Sequence, residues 1–344
     1  MQSPNSDRDP VAANPGIGEF EAIERLRERF EAAARTRFPE GELPPHGDTW
    51  IGDDAAVVAL GSSTQLVMAT DLVVGGVHVD TDLCSFADVG YKSLMVTASD
   101  LAAMGARPDY VLVSVVAPPG TDLDALGAGL AEAAAETACV VVGGDLSEGP
   151  VLVVSTAVTG ILRPGPDPAH PPGPLLRSGA SPGDHLFVTG PLGGSAAGLR
   201  LLRRPPGDRS GPPGRGVAEH LVRAYRRPRA RVEEGEVARL HGASAALDVS
   251  DGLVADAGHL ARASGVGLRL ESVPAQEGAT DEEALGGGEE YELVIATPDP
   301  VRLVAAFEAA GLRPPVLLGR CTDSPGVVTV DGVPAPPRGW QHRF

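Results

Sequence analysis

Lysine is almost missing from this chain: Lys92 is the only one in 344 residues. Positive charge is scarce as a whole, with 28 basic against 46 acidic residues and a net charge of −18. A nucleic-acid binder needs a basic surface to displace phosphate counterions, so that class is excluded. There is no G-x-x-x-x-G-K-[ST] and Lys92 is not in a glycine loop, which removes a P-loop NTPase; no protein-kinase catalytic-loop signature is present either. Any phosphate-binding lysine is Lys92 or does not exist. The three cysteines, Cys84, Cys139 and Cys321, are odd in number and far apart, so they form neither a disulfide framework nor a thiolate metal site. No stretch approaches the roughly 18 apolar residues of a membrane span, and the first residues lack the apolar core of a signal peptide. These absences predict a cytoplasmic protein with no membrane partner. Aromatics make up only 4% of the chain, so its cores must be built from Val, Leu, Ile and Ala.

What is present is globular: 42% hydrophobic and 22% charged residues, with 44 glycines and 32 prolines to make turns. The length favours two domains. Residues 1–15 read as a disordered lead. Phe20, Ile23, Leu26 and Phe30 at near-helical spacing predict an amphipathic helix over Glu19–Arg35. Strands are expected at Ala55–Leu60, Gln65–Asp71, Tyr110–Ala117, a buried Cys139–Val142, and Val151–Thr159. Helices are expected at Phe86–Met104 and Leu123–Thr137. Six prolines among the twelve residues Arg163–Pro174 mark a linker. This divides the chain into an N-terminal domain, 16–162, a linker, 163–176, and a C-terminal α/β domain, 177–344. In the latter, strands are expected at His185–Thr189, Ala245–Asp248, Gly267–Glu271, Tyr291–Ala296 and Val327–Val330, and helices at Ser195–Arg203, Arg229–Leu240 and Leu253–Ser264. Arg204–Gly216 reads as a surface insertion.

The most informative feature is where aspartates stand. Asp53 and Asp54 enter a strand, Asp71 closes another, and Asp145 follows a third through Gly143 and Gly144. Asp100 lies within an apolar helix, and Asp248 and Asp251 bracket a strand-to-helix turn. Carboxylates at the ends of apolar strands are held rigidly and project toward a crevice. If several converge they repel one another unless divalent cations sit between them. Oxygen-only donors suit Mg²⁺ rather than zinc. A single strand-end Asp is more often a cap or turn former than a metal ligand, an alternative that applies most to Asp53 and Asp251. Asp100 is harder to explain that way, because an acid on an apolar helical face needs a partner. Gly143-Gly144 and Gly286-Gly287-Gly288 offer unobstructed backbone amides suited to a phosphate, although each is also an ordinary turn sequence.

An ordered series of motifs carries further: Gly16-Ile17-Gly18-Glu19-Phe20; Ile51-Gly52-Asp53-Asp54-Ala55; Ala69-Thr70-Asp71 with His78; and Ser99-Asp100-Leu101-Ala102-Ala103-Met104-Gly105-Ala106. Then come Gly143-Gly144-Asp145, Arg177-Ser178-Gly179-Ala180, Leu247-Asp248-Val249-Ser250-Asp251-Gly252-Leu253, and Gly287-Gly288-Glu289-Glu290-Tyr291-Glu292-Leu293. From Gly16 to the C-terminus the chain resembles thiamine-monophosphate kinase, of the ATP-binding superfamily that contains aminoimidazole ribonucleotide synthetase and selenophosphate synthetase. The resemblance implies a mixed α/β, two-domain fold whose N-terminal domains pair into a homodimer with a β-barrel-like core. It implies ATP-dependent phosphorylation of thiamine monophosphate to thiamine diphosphate, with several Mg²⁺ ions. By position it implies Mg²⁺ ligands at Asp54, Thr70, Asp71, Asp100, Asp145, Asp248 and Asp251, and ATP contacts at Gly144, Asp145, Arg177 and Ser250. It implies substrate contacts at His78, Glu289 and Trp340, and no covalent nucleophile. Ala69 stands where the family often has serine, and Glu290 where aspartate is common.

Rival readings have their own marks. A selenophosphate synthetase is expected to carry a reactive Cys and a Lys near its N-terminus, and neither precedes Asp53. A hydrogenase-maturation relative is expected to end in cysteine, and this chain ends in Phe344. An aminoimidazole ribonucleotide synthetase lacks the Gly-Gly-Glu-x-Tyr-Glu-Leu match. A non-catalytic nucleotide sensor is expected to have lost aspartates that are all present here.

Overall fold

The computed structural model describes residues 19–35, 39–41, 44, 48–60, 65–165, 172–204, 214–336 and 339. The expected lead at 1–15, the Gly16–Gly18 motif, Trp340 and most of the insertion at 204–216 lie outside them. Two compact units are present, Met1–His46 with Trp340–Phe344, and Gly47–Gly339. In the first, the described element is helix α1 (Glu19–Ala34), on which Ile23 and Phe30 are exposed.

The second unit holds two sheets. Its elements in order are β1 (Ala56–Ala59), β2 (Gln65–Val74), α2 (Phe86–Ala103), β3 (Arg107–Ala117), α3 (Leu123–Thr137), β4 (Val140–Glu148) and β5 (Val153–Ile161). Then follow β6 (His185–Val188), α4 (Gly194–Leu202), α5 (Arg215–Arg226), α6 (Val232–Leu240), β7 (Ala245–Asp248), α7 (Leu253–Ser264) and β8 (Gly267–Leu270). The last are α8 (Asp281–Gly286), β9 (Leu293–Thr297), α9 (Pro300–Ala309), β10 (Val316–Thr322), β11 (Val328–Val330) and β12 (Val333–Pro334). The first sheet has the order β1-β2-β5-β3-β4 and the second β12-β11-β8-β10-β6-β9-β7. Neither closes on itself. All pairings in the first are antiparallel except β3 with β4, whose parallel crossover runs through α3.

Helix α2 is the keystone. It is apolar on nearly all sides, and fourteen of its eighteen residues are buried, as such a helix must be. It packs on β2 and β5 of the first sheet, on α3, and on β7 and α6 from the other half of the unit. Its start is fixed by a capping box in which Ser85 and Asp88 satisfy each other's backbone amides. Its contact with α3 is close enough that only glycine fits: a Cβ on Gly90 would lie 2.0 Å from the Leu126 carbonyl oxygen, and one on Gly129 1.9 Å from that of Ala87.

Strand β4 differs from expectation. Val140-Val141-Val142 reads as a core segment, yet β4 runs on to Glu148 as an edge strand, and all nine of its residues are exposed. The outer face of the same sheet is also open and apolar, with Leu72 49%, Tyr110 55% and Leu112 51% exposed. A long, bare, apolar edge is a surface that proteins normally cover.

Candidate active site

The site begins where β2, α2 and β7 meet. Asp71 lies on the core-facing side of β2, in register with buried Thr156 of β5. Asp100 sits in the last turn of α2, and Asp248 is the final residue of β7. Asp54 stands in the turn that leads into β1. One carboxylate oxygen each from Asp54, Asp100 and Asp248 falls within 4.8 Å of the others. The charge of Asp71 bears on both Asp100 and Asp248.

Such a cluster is electrostatically unfavourable by itself. Burial, then Asp248, Asp71 and Asp54, raise Asp100 well above the usual carboxylate range. Burial and Asp54 push Asp248 up to about 7, against the pull of Ser99 and Arg177. Burial and Asp54 likewise lift Asp53 to about 6. Partial relief comes from fixed donors. Ser99 Oγ donates to Asp248 Oδ2 at 2.6 Å, and Arg177 grips Asp54 through Nε at 3.2 Å and Nη2 at 2.5 Å. The Arg177 amide donates to both oxygens of Asp53, at 3.1 and 3.3 Å. One guanidinium against four neighbouring carboxylates leaves a net negative, all-oxygen nest, which fits a divalent cation of the Mg²⁺ type.

A second group borders it. Ser250 and Asp251 form the turn after β7, and the Ser250 carbonyl accepts from the Glu289 amide at 2.7 Å. Glu289 and Tyr291 both adopt left-handed backbone, at φ 62° and 54°, immediately after three glycines. Non-glycine residues held there store strain, which is typical of functional loops. The Glu289 carboxylate reaches Lys92 Nζ at 2.7 Å, and the His78 carbonyl accepts from the same ammonium at 3.5 Å. His78 Nδ1 accepts from the Val74 amide at 3.1 Å.

Other expected site residues stand apart in the single chain. Thr70 is exposed on the outer face of β2, opposite to Asp71. Gly144 and Asp145 are exposed on edge strand β4. Asp145 is in register with Ser114, which pairs with Ser155, which pairs with Leu72, so it shares the outer face with Thr70. Three strand spacings separate β4 from β2, about 14 Å. Gly144 is required where it stands, because a Cβ would meet the Val113 carbonyl oxygen at 1.7 Å. Spacing alone did not reveal Ser99 as the donor to Asp248 or Asp53 as the clamp on the Arg177 backbone. Nor did it reveal Glu290, which accepts from the amides of Gly194 and Ser195 at the start of α4. Burial, with the charge of Glu292, raises the Glu290 carboxyl to about 8 against the pull of those amides.

With this geometry in place, known proteins can be compared. The profile described as AIR synthase related protein, N-terminal domain, matches residues 52–162, and that of the C-terminal domain matches 181–332. The thiamine-monophosphate kinase of Mycobacterium tuberculosis is 35% identical over 331 residues, spanning 92% of this chain and 88% of that protein. The chain belongs to the thiamine-monophosphate kinase family. The Salmonella typhimurium member is 36% identical over 264 residues, 73% of this chain and 77% of its own. The solved structure described as AaThiL complexed with AMPPCP and TMP superposes with a TM-score of 0.75 at 30% identity, covering 94% of this chain and 97% of that one. The mixed α/β, two-domain fold is therefore that of the thiamine-monophosphate kinase family, and the protein is an enzyme of that family.

Proposed function

We propose that this enzyme transfers the γ-phosphoryl group of ATP directly to the phosphate of thiamine monophosphate, giving thiamine diphosphate. The observation that carries the reading is the convergence of Asp54, Asp100 and Asp248, with Asp71 beside them, next to Arg177. Phosphoryl transfer asks a protein mainly to align donor and acceptor and to balance charge, and no nucleophile is needed. We assign Mg²⁺ binding to Asp54, Asp71, Asp100 and Asp248, with Asp251, Asp145 and Thr70 completing the set by family position. When bound, the cations screen the phosphates of both substrates.

The chain's own residues then divide the work. Arg177, oriented by the carboxylate of Asp54 and tethered through its amide to Asp53, offers the remaining guanidinium edge to an ATP phosphate. Gly144 and Ser250 supply further ATP contacts. His78 and Glu289 face the thiamine moiety, whose cationic thiazolium suits a carboxylate, and Trp340 offers an aromatic surface to it. The Pro-rich segment 163–176 joins the two domains.

Thr70 and Asp145 lie on the open side of the first sheet and Gly144 on its exposed edge strand, so the proposal includes a second copy of the chain covering that face. This is the homodimer with a barrel-like core, and it buries Leu72, Tyr110, Leu112 and Val140. A cytoplasmic location accords with the absence, among the described residues, of a helix able to cross a membrane. The deciding experiment incubates purified full-length protein with thiamine monophosphate, ATP and Mg²⁺ and follows thiamine diphosphate by chromatography, with thiamine and aminoimidazole-type acceptors as controls. Mg²⁺-dependent thiamine diphosphate is expected. ATP binding without that product would transfer the enzyme to another acceptor and remove the roles given to His78, Glu289 and Trp340.

A further inference from the structure

The single lysine is spent in an unusual place. Lys92 projects from α2 with its side chain fully buried, at 0% exposure. An ammonium out of water is tolerated only when its donors are satisfied by good partners. Three separate elements supply them. Glu289 Oε1 lies 2.7 Å away, the His78 carbonyl oxygen 3.5 Å away, and the Tyr225 ring of α5 presents its face at 4.9 Å to the centroid. A compact ammonium with three donors suits a place between a carboxylate, a carbonyl and a ring, and it is the one position where this chain uses lysine instead of arginine.

The two hydrogen-bond partners are the two described residues assigned to the thiamine moiety. Glu289 arrives from the second half of the unit on strained backbone, φ 62°, and His78 arrives from the loop after β2. Lys92 reaches both from between them. With Oε1 held by Lys92, the Glu289 side chain still keeps 27% exposure, so part of the carboxylate faces outward. His78 is fixed as well: its Nδ1 accepts from the Val74 amide, which leaves Nε2 of the neutral ring as the N–H donor.

We propose that Lys92 is a positioning residue for acceptor recognition. It fixes the Glu289 carboxylate and the His78 loop at a set separation, so that the rest of that carboxylate is held toward a cationic aromatic phosphate ester, which the site takes in preference to a neutral one. This rests on the acceptor proposed above. It gives Lys92 no contact with ATP or with the transferring phosphoryl group.

The test uses the full chain twice. Lys92→Met keeps the aliphatic stem and removes the charge. KM for thiamine monophosphate should rise by about tenfold or more, the scale of losing one partner of a buried charge pair. KM for ATP should stay within about twofold, because no ATP contact is lost. Adding Glu289→Gln should restore thermal stability by removing the uncompensated carboxylate, without restoring that KM. Because Lys92 is unique, wild-type protein labelled with ¹³C-lysine shows one side-chain Cε signal, readable even if the variant fails to fold. Thiamine monophosphate should shift that signal, whereas Mg²⁺ with a non-hydrolysable ATP analogue should not. An unmoved lysine signal in an enzyme active on thiamine monophosphate, or a Lys92→Met enzyme with unchanged acceptor KM, would overturn the inference. A wild-type enzyme inactive on thiamine monophosphate would instead overturn the acceptor assignment itself, and this inference with it.

Discussion

On the inner face of the five-stranded sheet, Asp71 looks toward α2 and joins Asp54, Asp100 and Asp248 in a nest that one chain assembles unaided. On the outer face of the same sheet, Thr70 and Asp145 stand in the open among Leu72, Tyr110 and Leu112, three strands apart. The inner group is buried or half-buried and short of positive charge. The outer group is solvated and lacks a cover. The two faces therefore need different things to become functional: cations on one side, a second protein surface on the other.

The largest effect should come from the inner face. Asp71→Asn is expected to lower turnover by about 10²- to 10³-fold, the scale of losing a preorganised electrostatic contact. Its circular dichroism should stay unchanged, and its cation-free stability should not fall, because one of the repelling charges is gone. Wild-type-like turnover in that variant would end the ligand assignment. Next is the outer face. Leu112→Asp places a charge at the centre of the exposed apolar surface, so light scattering should report half the wild-type mass and most activity should disappear. A monomeric but fully active Leu112→Asp enzyme would show that the outer face is not needed.

Much of this was legible in the sequence, and the limits have physical causes. Strand and helix positions around the aspartates followed from hydrophobic period: α3, β7 and α7 occur as read. Helix α5 was missed although its amphipathic period is clear, because it follows directly on the Pro/Gly/Arg-rich segment read as an insertion. Helix α9 did carry a start signal, Asp299 capping the amide of Arg302 ahead of Pro300 at the first turn. For β4 the apolar residues were evident but not what covers them, since a core strand and an interface strand have the same composition. The aspartates could be named singly, yet their grouping depends on long-range contacts such as Ser99 to Asp248, 149 residues apart. Those contacts leave no trace in local spacing.

Two smaller effects sharpen the contrast. Ser99→Ala removes the donor that orients Asp248 and should weaken Mg²⁺ affinity by about tenfold, measured by calorimetry, as outer ligand partners generally do. The other is a pH trend. Asp53 and Asp248 titrate near 6 and 7 in the folded protein, above the ordinary carboxylate value of 3.8. Between those limits the folded state binds more protons than the unfolded state, so stability falls as pH rises. The melting temperature of cation-free protein should therefore decline from about pH 4 to about pH 7, and saturating Mg²⁺ should flatten the decline. A trend of opposite sign would mean that these carboxylates are already compensated within the chain.

The most direct test of the inner nest as a cation site is Mg²⁺ titration by calorimetry, on the wild-type protein and on Asp100→Asn, without nucleotide and above pH 7. Saturable binding to the wild type, clearly weakened in Asp100→Asn, is the predicted result. Equal binding to both proteins, or none to either, would contradict the account.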